Sequence, residues 1–250
     1  MPTIDESRDK PTTVSRSGNS SGHSETDARR ATVSYYNETY HAEHFGALLT
    51  DERYYDLVAQ FWRYSLFERI GLPVQGKLLD FGCGIGQISA ALPNTVCFDI
   101  SDSAIAALRK RGRVLIENKQ DIPAATFDYL LSSHSLEHSP SPYEDLIAFR
   151  KQLRADGRIL LILPVEVNLK STFESDWNQH LFAWTFQTIT NLLRATGWTP
   201  LRQSTLYPPF MLRTLSGVFP AKWTVPAAYW IGRFRRSVPY MLTIAKLSDS

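Results

Sequence analysis

The sequence predicts an α/β fold, a mostly parallel sheet covered by helices on both faces, and three observations carry that prediction. Short apolar runs alternate with amphipathic stretches, the first run enters a cluster of three glycines, and the second ends on an acid, Asp99. Such alternation joins parallel strands through helical crossovers and puts ligands at the carboxyl ends of the strands, near the switch in strand order.

Residues 1–30 are dominated by Ser, Thr, Pro and charged side chains. They hold too little apolar surface to offset chain entropy and lack the apolar run of a secretory leader. A disordered tail over 1–33 is therefore expected, with the folded unit over 34–250. Tyr54, Leu57, Val58, Phe61, Trp62 and Leu66 recur at helical spacing, so residues 53–70 read as an amphipathic helix stopped by Gly71 and Pro73. That helix belongs to a leading segment, 34–75, ahead of a core at 76–200.

Lys77-Leu78-Leu79-Asp80-Phe81 and Thr95-Val96-Cys97-Phe98-Asp99-Ile100 read as buried parallel strands. Residues 87–92 are compatible with a helix between them. The stretch 101–112 has helix punctuation at both ends, with Ser101 as N-cap, Asp102 in the first turn, and Arg109, Lys110 and Arg111 in the last turn before Gly112. Strands follow at 114–116 and 127–131. Ser141-Pro142-Tyr143-Glu144 then forms a capping box opening a helix that runs to Gly157. A fifth strand at 158–163, a helix at 185–196, and strands near 198–206 and 240–246 complete the pattern.

Composition narrows the function. A chain of 250 residues, 43% hydrophobic, encloses one sizeable core. Its 27 basic against 25 acidic residues are too balanced to imply nucleic acid as an obligate partner by overall charge alone. Cys83 and Cys97 are the only cysteines, and neither stands at metal-ligand spacing from a histidine. The sequence thus gives no support to a metal site or a disulfide framework, and reduced thiols in a cytoplasmic protein are the simplest expectation. No apolar stretch is long enough to span a bilayer.

The chemistry concentrates in Asp80-Phe81-Gly82-Cys83-Gly84-Ile85-Gly86. Three alternating glycines after a strand let backbone approach a ligand closely. A dinucleotide turn would read G-x-G-x-x-G, facing a pyrophosphate, whereas this one reads G-x-G-x-G with an acid before it, which suits the ammonium of an amino-acid tail. Asp99, ending the next strand, can accept two ribose hydroxyls.

These residues resemble the first motif of the class I S-adenosylmethionine (SAM)-dependent methyltransferases, L-D-x-G-C-G-x-G, matched by Leu79 to Gly86. The resemblance continues in register through Asp99, the 118–123 turn, Phe127-Asp128, Leu136-Glu137-His138 and Leu153-Arg154-Ala155-Asp156-Gly157-Arg158, covering roughly residues 77–200. It extends to His180-Leu181-Phe182-Ala183-Trp184-Thr185. It implies a Rossmann-like seven-stranded sheet and SAM as cofactor, released as S-adenosylhomocysteine. Asp80, Gly82, Gly84 and Gly86, with Cys83 as a small residue beneath the loop, would surround the methionine part of SAM. Asp99, with Ile100 beside it, would hold the ribose, and Asn118 with the Lys119 backbone would face the adenine. The family often has Asp-Ala at that last position, so Asn118-Lys119 departs from its pattern. Ser133 and His134 would approach the methyl group or the acceptor. Tyr35, Tyr36, Tyr40 and His41 fall where related enzymes fold a lid.

Methyl transfer is an in-line displacement needing alignment more than a nucleophile. For a hydroxyl acceptor, His134 and His138 are the candidate general bases, with a backbone hydrogen bond that shapes the loop as the alternative role for His138; Glu137 reads as organising that loop, and His180 and Trp184 as lining the acceptor pocket, with the core as the alternative for Trp184. Residues 201–250 carry seven Lys or Arg against one acid, Asp249, interleaved with aromatics. The insertion at 207–237 is expected to cap the site of a small-molecule or lipid-linked acceptor; contact with an anionic membrane surface or with RNA, and a plain solvated basic face, are the alternatives. The alternative to an enzyme is a non-catalytic SAM sensor or scaffold of the same fold; nicotinamide oxidoreduction is disfavoured by the glycine spacing.

Overall fold

The computed structural model describes residues 41–72, 75–166, 179–235 and 238–248. The expected tail, Tyr35, Tyr36, Tyr40 and the stop at Pro73 lie outside them. Helix α1, His41–Thr50, and helix α2, Glu52–Arg63, precede the sheet; Asp51 caps α2 by accepting the Tyr54 amide, and a π-helical turn, Tyr64–Arg69, continues it.

Seven strands follow: β1 Leu78–Phe81, β2 Thr95–Phe98, β3 Leu115–Ile116, β4 Phe127–Ser133, β5 Leu153–Pro164, β6 Trp198–Leu206 and β7 Tyr240–Leu247. They lie in the order β3-β2-β1-β4-β5-β7-β6. All pairings are parallel except those of β7, which runs antiparallel between β5 and β6. The chain builds outward from β1 in one direction and then returns to place β4 on its other side. Loops leaving β1 and β4 therefore diverge and open a crevice at their carboxyl ends.

Alternation along the strands divides the interior into two cores. Leu78, Leu131, Leu160, Ile162, Leu242 and Ile244 face the side covered by α2 and by a later helix, α7 (Ala221–Arg235). Leu79, Leu130, Ile159, Leu161, Leu163, Met241 and Ala245 face the other side, where Leu146 and Phe149 of α4 (Pro142–Gln152) and Ile189 and Leu193 of α5 (Phe186–Ala195) cover them. Helix α3, Asp102–Lys110, packs Leu108 on Cys83 and Cys97. Its Ser101 cap, and a Thr185–Thr188 capping box on α5, satisfy the first amides as the sequence requires.

Two expectations need correction. Residues 87–91 form turns, not a helix, because Arg113 donates to the carbonyls of Ala90 and Ser89 at 3.0 and 3.2 Å, taking acceptors a helix would use. Helix α4 ends at Gln152, five residues short of Gly157, because Leu153 is buried and pairs with Phe127 to begin β5 early. The insertion forms two helices, α6 (Leu212–Ser216) and α7, and Tyr229 of α7 packs against Phe61 of α2 and Tyr64 of the π-helical turn.

Candidate active site

Strand register aligns the expected cofactor residues. Phe98 pairs with Ile116, Phe81 with both Phe98 and Ser132, and Ser133 with Ile162. One step beyond these pairs, Asp99, Gly82 and Ser133 leave neighbouring strands side by side, with Asn118 two residues past the end of β3. At the usual strand spacing the row from β3 to β4 spans about 14 Å, the footprint of an elongated ligand and not of a compact one.

The glycine corner is fixed from both sides. Gly82 and Cys83 donate their amides to the Phe98 carbonyl at 2.8 and 3.1 Å, and Gly84 donates to Asp99 Oδ2 at 2.7 Å. Gly82 takes φ +69°, and a Cβ there would stand 2.6 Å from Cβ of Ser135, so glycine permits the β1 and β4 loops to touch. The Tyr55 hydroxyl donates to the Ile85 carbonyl at 2.9 Å and pins α2 to this loop. Burial pushes that phenol up to about 12, so it remains a donor.

Asp99 is buried, and its Oδ1 accepts the Ser101 amide at 2.9 Å; Ile100, beside it, is exposed. Asp80 lies beneath the glycine corner on the face toward α2, and its Oδ2 has no hydrogen-bond partner. Burial raises its carboxyl to about 6, against the opposing influence of the Ser89 hydroxyl and Arg113. A buried oxygen without a donor is what a ligand ammonium, alone or through water, would satisfy. Cys83 is a buried free thiol held protonated by burial, consistent with a small residue under the loop. Asn118 precedes a short 3-10 turn, Lys119–Asp121, and donates its amide nitrogen to Asp121 at 3.0 Å, which leaves the amide oxygen as acceptor. Lys119 instead sends its ammonium to Asp145 at 2.7 Å.

Past β4 the chain turns sharply. His134 has φ +49° and donates its amide to the Ile162 carbonyl at 2.9 Å. Its ring meets Tyr240 edge-on at 4.5 Å, and its Nδ1 stands 3.5 Å from Oε1 of Glu137. Left-handed backbone at a non-glycine residue beside strand ends is a strain that functional positions often carry. Glu137 and His138 occupy the following 3-10 turn, Leu136–His138. Burial lowers the His138 pKa, with Glu137 opposing, so its imidazole is neutral at neutral pH.

His180 reaches this turn from a distant segment, because the amides of Leu181 and Phe182 donate to the Glu137 carbonyl at 2.9 and 3.3 Å. Trp184, by contrast, is buried in the core beneath Phe182. Sequence reasoning missed Tyr55, Ser135, Glu166 and Tyr240 at this edge.

A model of a methyltransferase domain matches residues 50–203. No curated protein matches the chain by sequence. Among solved structures, 1,6-didemethyltoxoflavin-N1-methyltransferase from Burkholderia thailandensis, bound to 1,6-didemethyltoxoflavin and S-adenosylhomocysteine, aligns over 94% of both chains at 19% identity with a TM-score of 0.55. A SAM-dependent methyltransferase from Thermotoga maritima aligns over 82% of this chain and 99% of its own at 14% identity and a TM-score of 0.53. One from Mesorhizobium loti aligns over 74% and 97% at 14% identity and 0.51. The chain belongs to the methyltransferase-domain family, and its seven-stranded sheet is the fold of the class I SAM-dependent methyltransferases.

Proposed function

We propose that this enzyme seats SAM along the row Asn118, Asp99, Gly82 and Ser133 and methylates a small-molecule or lipid-linked acceptor held beside His134. The observation that carries this reading is the register, which lines up an acceptor amide, a carboxylate, a glycine corner and a serine over a length suited to an extended nucleoside. Bound SAM supplies an electrophilic methyl group, whose bond to sulfur breaks with its electron pair left on S-adenosylhomocysteine while the acceptor loses a proton.

Asp99, already positioned by the Ser101 and Gly84 amides, offers the ribose a fixed pair of oxygens. Asp80 favours the ammonium end from beneath the loop. His134, strained and partly exposed at the end of β4, is placed to accept the acceptor proton. The fold's contribution is alignment, which is the larger share of what a displacement at a methyl carbon requires.

The acceptor side extends to a surface suited to lipid. On α7, Thr224, Val225, Ala228 and Gly232 are buried, while Trp223, Trp230 and Phe234 are exposed, the last at 81%. Their spacing of seven and then four residues puts the three rings on one stripe, flanked by Lys222 and Arg233. Among the described residues no helix is long and apolar enough to cross a membrane. An aromatic stripe edged with cations instead lies in the headgroup plane, so α7 brings the enzyme to an anionic membrane carrying its acceptor.

Transfer of labelled methyl from SAM into fractionated metabolite and lipid extracts tests the function. Label in an organic acceptor supports it. Tight SAM binding with no transfer to any fraction would make the protein a sensor.

A further inference from the structure

We propose that Glu137, His138 and His180 form a binding site for one divalent transition-metal ion. One ligand atom from each residue lies within 4.8 Å of the others. The two imidazoles meet edge-on with centroids 4.8 Å apart.

Glu137 supplies an independent observation. Its side chain is completely buried, and neither carboxylate oxygen has a hydrogen-bond partner; His134 Nδ1, at 3.5 Å, is too distant to be one. A buried carboxylate without donors is unfavourable unless a positive charge reaches it. A metal ion between Glu137 and two imidazoles supplies that charge.

The surrounding residues fit the same role. Glu166 Oε1 stands 2.6 Å from His180 Nδ1, so a proton held at Nδ1 leaves the lone pair on Nε2. A carboxylate behind a histidine in this way fixes its tautomer and orientation for a metal. The Leu181 and Phe182 amides, bound to the Glu137 carbonyl, hold His180 against the turn without using side-chain donors. Ligands about 2.1 Å from a tetrahedral ion stand about 3.4 Å apart. The three atoms, within 4.8 Å of one another, therefore stand at most about 1.4 Å wider apart than such an ion would hold them.

Two imidazoles and one carboxylate select Zn²⁺, Mn²⁺, Fe²⁺ or Co²⁺ over Mg²⁺, which prefers oxygen. Three protein ligands also leave coordination open. The turn bearing two of them follows directly on Ser133 and His134, so the ion borders the position assigned to the acceptor. An acceptor offering an oxygen ligand is the matching chemistry, and this extension rests on the methyl-transfer reading whereas the metal site does not.

Calorimetry with tag-free, chelator-stripped full-length protein and Zn²⁺ or Mn²⁺, without SAM, tests the site. The expected result is one saturable equivalent of at least one of these ions and no comparable Mg²⁺ binding. Glu137→Gln and His180→Ala should each weaken binding more than tenfold, and Glu166→Gln about tenfold. His180 lies on a connecting segment, so His180→Ala keeps the test decisive if the buried Glu137 variant fails to fold. Absence of saturable binding, or wild-type affinity in His180→Ala, would overturn the proposal. SAM binding measured on the same preparation separates failure of the metal site from failure of the methyltransferase reading.

Discussion

The Asp99 carboxylate reaches from the end of β2 to the amide of Gly84, 2.7 Å away, and so ties the acid that ends one strand to the glycine corner that ends its neighbour. The same carboxylate accepts the Ser101 amide, so its orientation is set before any ligand arrives. Little reorganisation is then left for cofactor binding, and that preorganisation strengthens the hydrogen bonds a ribose would make.

Asp99→Ala should weaken SAM binding by about 10- to 100-fold, since charge-assisted hydrogen bonds contribute roughly 1.5–3 kcal/mol. Asp99→Asn should fall between the variant and the wild type, because one oxygen acceptor remains. Calorimetry checks the order, and equal affinities for all three would remove Asp99 from the site.

Gly82→Ala should destabilise the fold by about 2 kcal/mol or more, combining a left-handed backbone with the approach to Ser135. Adding Ser135→Gly should recover the steric part but not the conformational part. Urea denaturation of both single variants and the pair should show a favourable coupling of about 1 kcal/mol. Strict additivity would mean that the two loops do not meet.

Asp80→Asn should be more stable than the wild type at pH 8. The folded carboxyl titrates near 6, above its ordinary 3.8, so the fold favours the neutral acid. The stabilisation from that raised pKa is complete below about 4 and lost as pH rises through 6. Asparagine, never charged, avoids the loss, with a gain of up to about 3 kcal/mol at pH 8 that disappears near pH 4. SAM affinity should fall in the same variant. Thermal melts across pH check this, and a stability difference that does not vary with pH would contradict it.

Trp223→Ser combined with Phe234→Ser should abolish co-sedimentation with anionic vesicles while leaving the melting temperature within about 2 °C, because both rings are exposed. Wild-type protein should bind such vesicles less as salt rises. No wild-type binding at low salt would sink the membrane contact.

Sequence reading located the strands and the glycine corner because buried parallel strands are continuous apolar runs and because Gly82, Gly84 and Gly86 punctuate so strongly. It also placed Ser101 and Ser141 as caps, since capping depends on neighbours in sequence. What it missed depends on residues distant along the chain. Arg113 dissolved the helix expected at 87–92 by binding its carbonyls from 23 and 24 residues away. His180 joins Glu137 and His138 only because its segment docks on their turn, so no spacing rule could reveal that cluster. The start of β5 was misjudged because Leu153 gains more from burial against β4 than from another helical turn.

A crystal structure of the protein with S-adenosylhomocysteine decides whether the strand ends of β3, β2, β1 and β4 seat the cofactor. Ribose hydroxyls are expected within hydrogen-bond distance of Asp99, the amino-acid tail over Gly82 to Gly86, adenine beside Asn118 and sulfur directed toward Ser133 and His134. A nucleoside bound at another surface, with Asp99 still engaged only by Gly84 and Ser101, would contradict it.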